Sequence, residues 1–451
     1  MAGISHSLSQ AIFLEAESDT PVHHVHAILS AYKDSDYYAY ERGDCWHIGL
    51  GRRASLSLDA AGESVTVFAG EQRVTQPVGQ GFAEVARRFV DEHGEPGGKT
   101  FGYVGFNYAL FTRGLCFEPG HWPLASLLVP RVEATIRNKS VEVSGGDSSN
   151  VERIRSAIRA APPPAGHVGQ EPQSLDSLAA QRKYTYAVSK ALEAIEQGRI
   201  EKVIVSRDVP VRSRVDMLAT LIRGRAASMP KRTFCLSHAG FQATGFSPEL
   251  VVSCAAGRVL TEPLAGTRAL TKSAAENRRL RLELENDPKE VREHIMSAKA
   301  AVEELASVCT PHSAVVEDLM SVRECGRVQH LGSSVAGSLS RSKDVWDVFN
   351  VVFPSITASG LPKDQALAII SEIEGTPREL YSGAVLVVEG ADALEATLVL
   401  RTVFQDERHQ WVQAGAGIIA QSQPRREFVE TCEKLASIAP HVVELQPRGS
   451  A

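Results

Sequence analysis

Hydrophobic and polar positions alternate with a period of two through much of the first third of the chain. Runs of this kind, YYAYERG (37–43), WHIGLG (46–51), SLSLD (55–59), SVTVFAG (64–70) and SVEVSGG (140–146), are separated by Gly, Asp and Ser and predict short strands. The period then changes. VERIRSAIRAA (151–161) has helical spacing, APPPAGHVGQEPQ (161–173) breaks it, and QRKYTYAVSKALEAIEQGRI (181–200) predicts a long amphipathic helix. The proline-rich break reads as a surface linker or as a seam between subdomains. Beyond Lys202, apolar runs (EKVIVSRDVPV, TFCLSHAG, LVVSCAAG, AVLVVEG, ATLVLRTVF) interleave with helical ones (AENRRLRLELE, KEVREHIMSAKAAVEELASV, REFVETCEKLASI). Hairpin-sized spacing among the strands favours a mixed, largely antiparallel sheet over a doubly wound one.

Composition sets the outer limits. A chain of 451 residues, 43% hydrophobic, can bury a large core as one big α/β domain or two ordinary ones. A formal net charge of -6 with 23% charged residues offers no bulk attraction for nucleic acid or an anionic membrane, so an anionic ligand must be held locally. The seven cysteines are scattered and never form CxxC, which argues for reduced thiols and against a zinc ribbon or a disulfide scaffold. MAGISHSLSQAIFLEAESD at the start lacks a basic flank, a long apolar run and a small-residue cleavage site, and no stretch reaches the length of a membrane span. A cytoplasmic protein is expected.

The sharpest chemical signal lies in two helical stretches. PKEVREH carries Glu290 and Glu293, and REFVETCEK carries Glu427 and Glu430. A spacing of i, i+3 puts each pair on one helix face, which is also a common pattern of solvated helices. Four convergent carboxylates would repel one another without a cation, and an all-oxygen set suits Mg2+ better than zinc. Lys434, one turn after Glu430, adds an ammonium to that face. Other polar groups stand at strand ends or in apparent turns. Lys202 precedes the apolar run VIVS, where burial can make a lysine a base, and Glu249 in GFSPEL stands where burial can keep a carboxyl protonated as an acid. His330 in VQHLGSS can donate to a carboxylate or serve as a structural histidine. Arg401, ending ATLVLR, and Tyr381, opening YSG, form a fork for a second carboxylate. QAGAGII offers Gly415 and Gly417 as backbone donors in a turn, and TEPLAGTRAL holds a Pro-Leu-Ala-Gly turn that approaches a ligand closely.

Taken together, EKVIVSR, GFSPELVV, TEPLAGTRAL, KEVREH, VQHLGS, FPSITASGLPK, RELYSGAV, ATLVLR, QAGAGII and EFVETCEKL resemble, in order, the motifs of the chorismate-utilising enzymes: anthranilate, aminodeoxychorismate, isochorismate and salicylate synthases. The resemblance runs from about residue 180 to 440. Before residue 150 it is loose, with FGYVGFNYALF the best part; IFLEAES (12–18) is similar to a short N-terminal motif of anthranilate synthases. It implies an α+β fold, one large domain spanning 1–451, in which antiparallel sheets are flanked by helices around an active-site cleft; 1–175 is the strand-rich, loosely matching part and 176–445 the catalytic part.

Single positions narrow the chemistry that the resemblance implies. Ala265 stands where covalent aminodeoxychorismate synthases carry a nucleophilic lysine. Lys202 stands where ammonia-using members have glutamine, which implies water as the nucleophile. No GxCxG-type elbow is present, so no glutamine amidotransferase subunit is expected. FPSITASGLPK and EFVETCEKLAS are most similar to salicylate synthase, whose product commonly enters siderophore assembly. In that pattern Lys202 is the base, Glu249 the acid and His330 a further catalytic residue. Thr357, Tyr381, Arg401, Gly415, Gly417, Lys434 and the stretch Ala265, Gly266 and Thr267 bind chorismate, while Glu293 and Glu430, backed by Glu290 and Glu427, hold Mg2+. A monomer or weak dimer is expected.

Overall fold

Among the described residues every strand pairs antiparallel, and 21 strands join one hydrogen-bonded network. The computed structural model describes residues 10–13, 20–79, 81–137, 140–160, 176–325 and 328–445. The proline-rich segment 161–173 and most of IFLEAES lie outside them.

The network divides at its longest pair, Cys45–Leu58 with Ala125–Arg137, whose register shifts between Arg52 and Ala54. From the Cys45 end it continues through Tyr37–Arg42, Arg232–His238, Phe241–Ser247, Thr402–Gln405 and Gln410–Ile418 to Lys202–Pro210. From the Leu58 end it runs through Lys99–Val104, Ala384–Glu389, Ala393–Leu398, Leu250–Ala255 and Arg258–Thr261 to Val328–Ser338.

Side-chain alternation stacks these two arms face to face. Tyr38 and Tyr40 pack with Phe101, Tyr103, Val385 and Val387 of the opposite arm, and this is the inter-sheet core. Tyr37 and Ala39, on the other face of the same strand, pack with Val25 and Ile28 of helix Pro21–Ala31 and Leu221 of helix Met217–Ala227. On the far arm Ala384, Leu386 and Val388 meet Phe89 of helix Phe82–His93, Phe349 of helix Val345–Val352 and Leu367 of helix Lys363–Glu374. Strands covered on both faces need apolar residues at every position, which is why AVLVV is an unbroken run rather than an alternating one. No helix among the described residues is long and apolar enough to cross a membrane.

The fold departs from the sequence expectations in instructive places. WHIGLG and SLSLD are not two strands: the chain passes through Gly51, at φ +66°, as an irregularity inside one 14-residue strand. Helices Pro21–Ala31 and Phe82–His93 fall in the part read as strands, although Phe82, Val85, Ala86, Phe89 and Val90 bury at helical spacing. QAGAGII is not a turn but part of strand Gln410–Ile418, with Gly415 opposite Ser206 and Gly417 opposite Ile204.

Gly360, at φ +142°, pairs with Val203 and lies so close that a Cβ there would overlap the carbonyl oxygen of Lys202. Gly360→Ala therefore forces apart the strand that carries Lys202. We expect it to lower the unfolding free energy by about 2–4 kcal/mol, read as a fall in the urea midpoint at unchanged slope.

Candidate active site

Two helices bring the glutamate pairs to one place. Helix Pro288–Ala306 starts where Asp287 caps it, accepting from Lys289 N at 2.9 Å and Glu290 N at 3.4 Å, with Pro288 in the first turn. Helix Pro424–Leu435 starts at its own proline and ends near Lys434. Their inward faces, Glu290 and Glu293 on one and Glu427 and Glu430 on the other, meet strands Gln410–Ile418, Lys202–Pro210 and Leu264–Ala269 around a pocket of about 870 Å³ counted to its mouth.

Each carboxylate there has a basic partner. Glu293 meets Lys202 Nζ at 3.0 Å, Glu430 meets Lys434 at 2.8 Å, Glu427 meets Lys289 at 3.1 Å and Glu290 meets Arg268 at 3.3 Å. The balance is uneven. Burial raises Glu293, but Lys202 and Lys289 outweigh it and hold the carboxyl below its ordinary range. Glu430 is likewise raised by burial and drawn down to about 2 by Lys434 and Lys289. Glu290 goes the other way: burial, then Glu293 and Glu430, push it up to about 7. Burial raises Glu427 as well, and its Oε2 is buried without a hydrogen-bond partner.

Among the described residues no three His, Cys, Asp or Glu side chains stand close enough together to hold a metal ion as they are placed. The donor chemistry still fits a hard divalent cation: these are carboxylate oxygens, mutually repelling, one orphaned and one forced toward its neutral form. Gly417 and Gly266 keep the space open, since a Cβ on the first would overlap Glu293 Oε1 and one on the second would come within 2.9 Å of Glu290 Oε2.

The same pocket is also lined by Glu249, His330, Thr357, Tyr381 and Arg401. Glu249 is 3% exposed, between strands Phe241–Ser247 and Leu250–Ala255. Its Oε1 accepts from Ser355 Oγ at 2.8 Å and from Thr357 Oγ1, yet burial prevails and pushes it up to about 7. His330 Nδ1 lies 2.9 Å from the Gly266 carbonyl and 3.1 Å from Thr267 Oγ1, while Nε2 lies 2.8 Å from Arg401 Nη2. An arginine only donates, so Nε2 accepts and the proton sits on Nδ1. Burial, reinforced by Arg401, drives His330 down to about 3, and the ring is a neutral brace for the guanidinium. Arg401 itself sits at φ +51°, a left-handed position between two strands that turns its side chain into the pocket. Tyr381 is 2% exposed, and burial raises its hydroxyl.

Of the residues singled out from sequence, Glu249, Ala265, Gly266, Thr267, Glu290, Glu293, His330, Thr357, Tyr381, Arg401, Gly415, Gly417, Glu430 and Lys434 line this one pocket. Lys202 and Glu427 stand directly behind it. Lys202 is 1% exposed and donates to Glu293 and, at 3.1 Å, to Ser297 Oγ. At Gly415 the carbonyl accepts from Lys434 Nζ at 2.9 Å, and Ser206, opposite it in the ladder, donates its backbone N–H to Glu374 rather than across to Gly415. Sequence reasoning missed Lys289, Arg268, Ser297, Ser355 and Gln413. Lys289 precedes Glu290 and Arg268 follows Thr267; a basic residue adjoining a motif residue was the available signal.

The fold and this pocket are those of a chorismate binding enzyme: residues 35–440 match that family, and the chain belongs to it. A salicylate synthase from Mycolicibacterium paratuberculosis is 36% identical over 424 residues, 93% of this chain and 92% of that protein. Anthranilate synthase component 1 from Haloferax volcanii is 33% identical over 335 residues, 73% of this chain and 63% of its own length. Among solved structures, anthranilate synthase component I from Streptococcus pneumoniae matches with a TM-score of 0.74 at 20% identity, covering 88% of this chain and 92% of that one. The menaquinone-specific isochorismate synthase from Escherichia coli matches with 0.73 at 20% identity, covering 96% and 94%. The two structures share the fold.

Glu249 gives the site a pH signature. Its folded value of about 7 lies above the ordinary 4.5, so the folded state binds the proton more tightly. That stabilisation is full below the ordinary value and is lost as pH rises through 7. Between pH 4.5 and 8 we expect the parent protein to lose about 3 kcal/mol more than Glu249→Gln, measured by urea unfolding across pH.

Proposed function

We propose that the chain is a Mg2+-dependent salicylate synthase that converts chorismate through isochorismate to salicylate and pyruvate. The observation that carries this is Lys202: a buried lysine, held by Glu293 and Ser297 directly behind a pocket that the buried acid Glu249 lines. An amide at that position could not take a proton from water, whereas a lysine can once it has released the proton that it shares in its pair with Glu293. The 36% identity to a salicylate synthase over nearly the whole of both chains supports the same assignment.

In this scheme Arg401 and Tyr381 hold the enolpyruvyl carboxylate of chorismate, with His330 fixing the direction of the guanidinium. Lys434 lies toward the ring carboxylate, and Thr357 lines the same cleft. Lys202 removes a proton from the water that attacks ring carbon 2, while Glu249 protonates the hydroxyl leaving carbon 4, so one water enters as another departs. Glu293 and Glu430, with Glu290 and Glu427 behind them, would hold Mg2+, which when bound supplies positive charge for the ring carboxylate. In the second half-reaction the hydrogen at carbon 2 moves to the enolpyruvyl methylene as the carbon–oxygen bond breaks. Pyruvate leaves and the ring becomes aromatic. The residues that fold the side chain over the ring serve this step by orientation. With water as nucleophile no glutamine amidotransferase subunit is required, and the setting is the cytoplasm, with siderophore assembly as the use of the product.

Incubation with chorismate and Mg2+, with and without ammonium, should give salicylate and equimolar pyruvate by fluorescence and mass; accumulated isochorismate would reduce the assignment to a one-step isochorismate synthase, and anthranilate would overturn the role of Lys202. Lys202→Gln should abolish product from chorismate yet leave turnover of supplied isochorismate largely intact. Equal loss of both removes Lys202 from the base role. Glu430→Gln should steeply raise the Mg2+ concentration needed for half-maximal rate, and a parent enzyme indifferent to EDTA would remove the metal from the scheme.

A further inference from the structure

The acid end of the pocket holds more than one proton donor needs. Glu249 Oε1 accepts from Ser355 Oγ at 2.8 Å and from Thr357 Oγ1, and the two hydroxyl oxygens lie 2.6 Å apart. Thr357 lines the pocket, whereas Ser355 touches it only through the carboxyl that it holds. Ser355 is itself fixed, because its carbonyl accepts from Ala358 N and from Ser359 Oγ, each at 2.9 Å. Each hydroxyl carries one hydrogen, so two hydrogen bonds are shared among these three contacts, and Oε1 is the acceptor on which the pair converges.

We propose that Ser355 is a positioning residue for Glu249: together with Thr357 it occupies Oε1, so that the transferable proton is carried on Oε2, the oxygen left to face the pocket. This rests on Glu249 being the acid of the proposed reaction. Without Ser355 the carboxyl can rotate and share its proton between both oxygens, one of which points away from the substrate.

The same hydroxyl also sets the strength of the acid. Burial favours the neutral carboxyl, while the bonds from Thr357 and Ser355 favour the ionised one. Two charged groups face it besides: Lys202 from strand Lys202–Pro210 favours ionisation, and Glu262, paired with Lys231 at 2.9 Å and Arg323 at 2.9 Å, opposes it. Removal of the Ser355 hydroxyl leaves burial less opposed. The acid becomes weaker and holds its proton to higher pH, away from the near-neutral value that suits proton transfer.

The test is the pH dependence of kcat/KM for chorismate in the parent, Ser355→Ala, Ser355→Cys, Ser355→Thr and Glu249→Gln. Activity needs the protonated acid, so the alkaline limb falls through the Glu249 value. Ser355→Ala should move that limb upward by roughly one pH unit, the size of one hydrogen bond to a charged group, and lower kcat about tenfold with KM little changed. Ser355→Cys, a weaker donor of similar size, should move it partway, and Ser355→Thr should restore it. A limb at the parent position in both Ser355→Ala and Ser355→Cys overturns the proposal. Glu249→Gln separates this from failure of the acid role: an inactive Glu249→Gln beside an unmoved limb condemns only the Ser355 assignment, whereas an active one with the parent profile removes Glu249 as the acid.

Discussion

Buried like charges set the terms for everything around this pocket. Two unit charges about 4 Å apart exchange about 4 kcal/mol at the effective dielectric of a protein surface, and more where water is excluded. Glu290, Glu293, Glu427 and Glu430 cannot share one cleft unless positive charge comes with them. Lys202, Lys289, Lys434 and Arg268 supply it, each from a different element or turn. Helix Pro288–Ala306 and helix Pro424–Leu435 pack on different strands, and the ion pair of Lys289 with Glu427 links them across the cleft.

Around Glu249 and His330 a different rule holds. There burial is left largely unopposed, so Glu249 stays near neutrality and His330 stays uncharged. A neutral imidazole accepting from Arg401 lets the guanidinium keep its charge for a ligand while its direction is fixed. Ion pairs surround the glutamates, while Glu249 and His330 in the same cleft are held toward their neutral forms.

Much of this was legible in the chain and some was not. The glutamate pairs, Glu249, His330, Tyr381 and Arg401 could be named because each belongs to a local motif, and local spacing survives folding. The antiparallel architecture followed from hairpin-sized intervals between apolar runs. What could not be read were facts that exist only across distance: that Lys202 reaches Ser297, that Lys289 answers Glu427, and that QAGAGII continues a ladder instead of turning. Glycine has two uses, left-handed backbone and absent side chain, and sequence does not distinguish them. Gly417 serves the second, leaving room for Glu293. The long strand Cys45–Leu58 was misread for the same reason, since Gly51 punctuates sequence without ending the pairing.

That strand and its partner Ala125–Arg137 run through both sheets, and the residues named in lining the pocket all come from Ile204 onward. The N-terminal half therefore serves as a chassis: it is bound by backbone ladders and by which face each side chain takes, and not by the identity of any reacting group. Such a region can exchange one apolar residue for another almost freely as long as alternation and register persist. The family match, which begins at residue 35, takes in this half although few of its motifs could be named from sequence, and its share in the strand network is what that match carries.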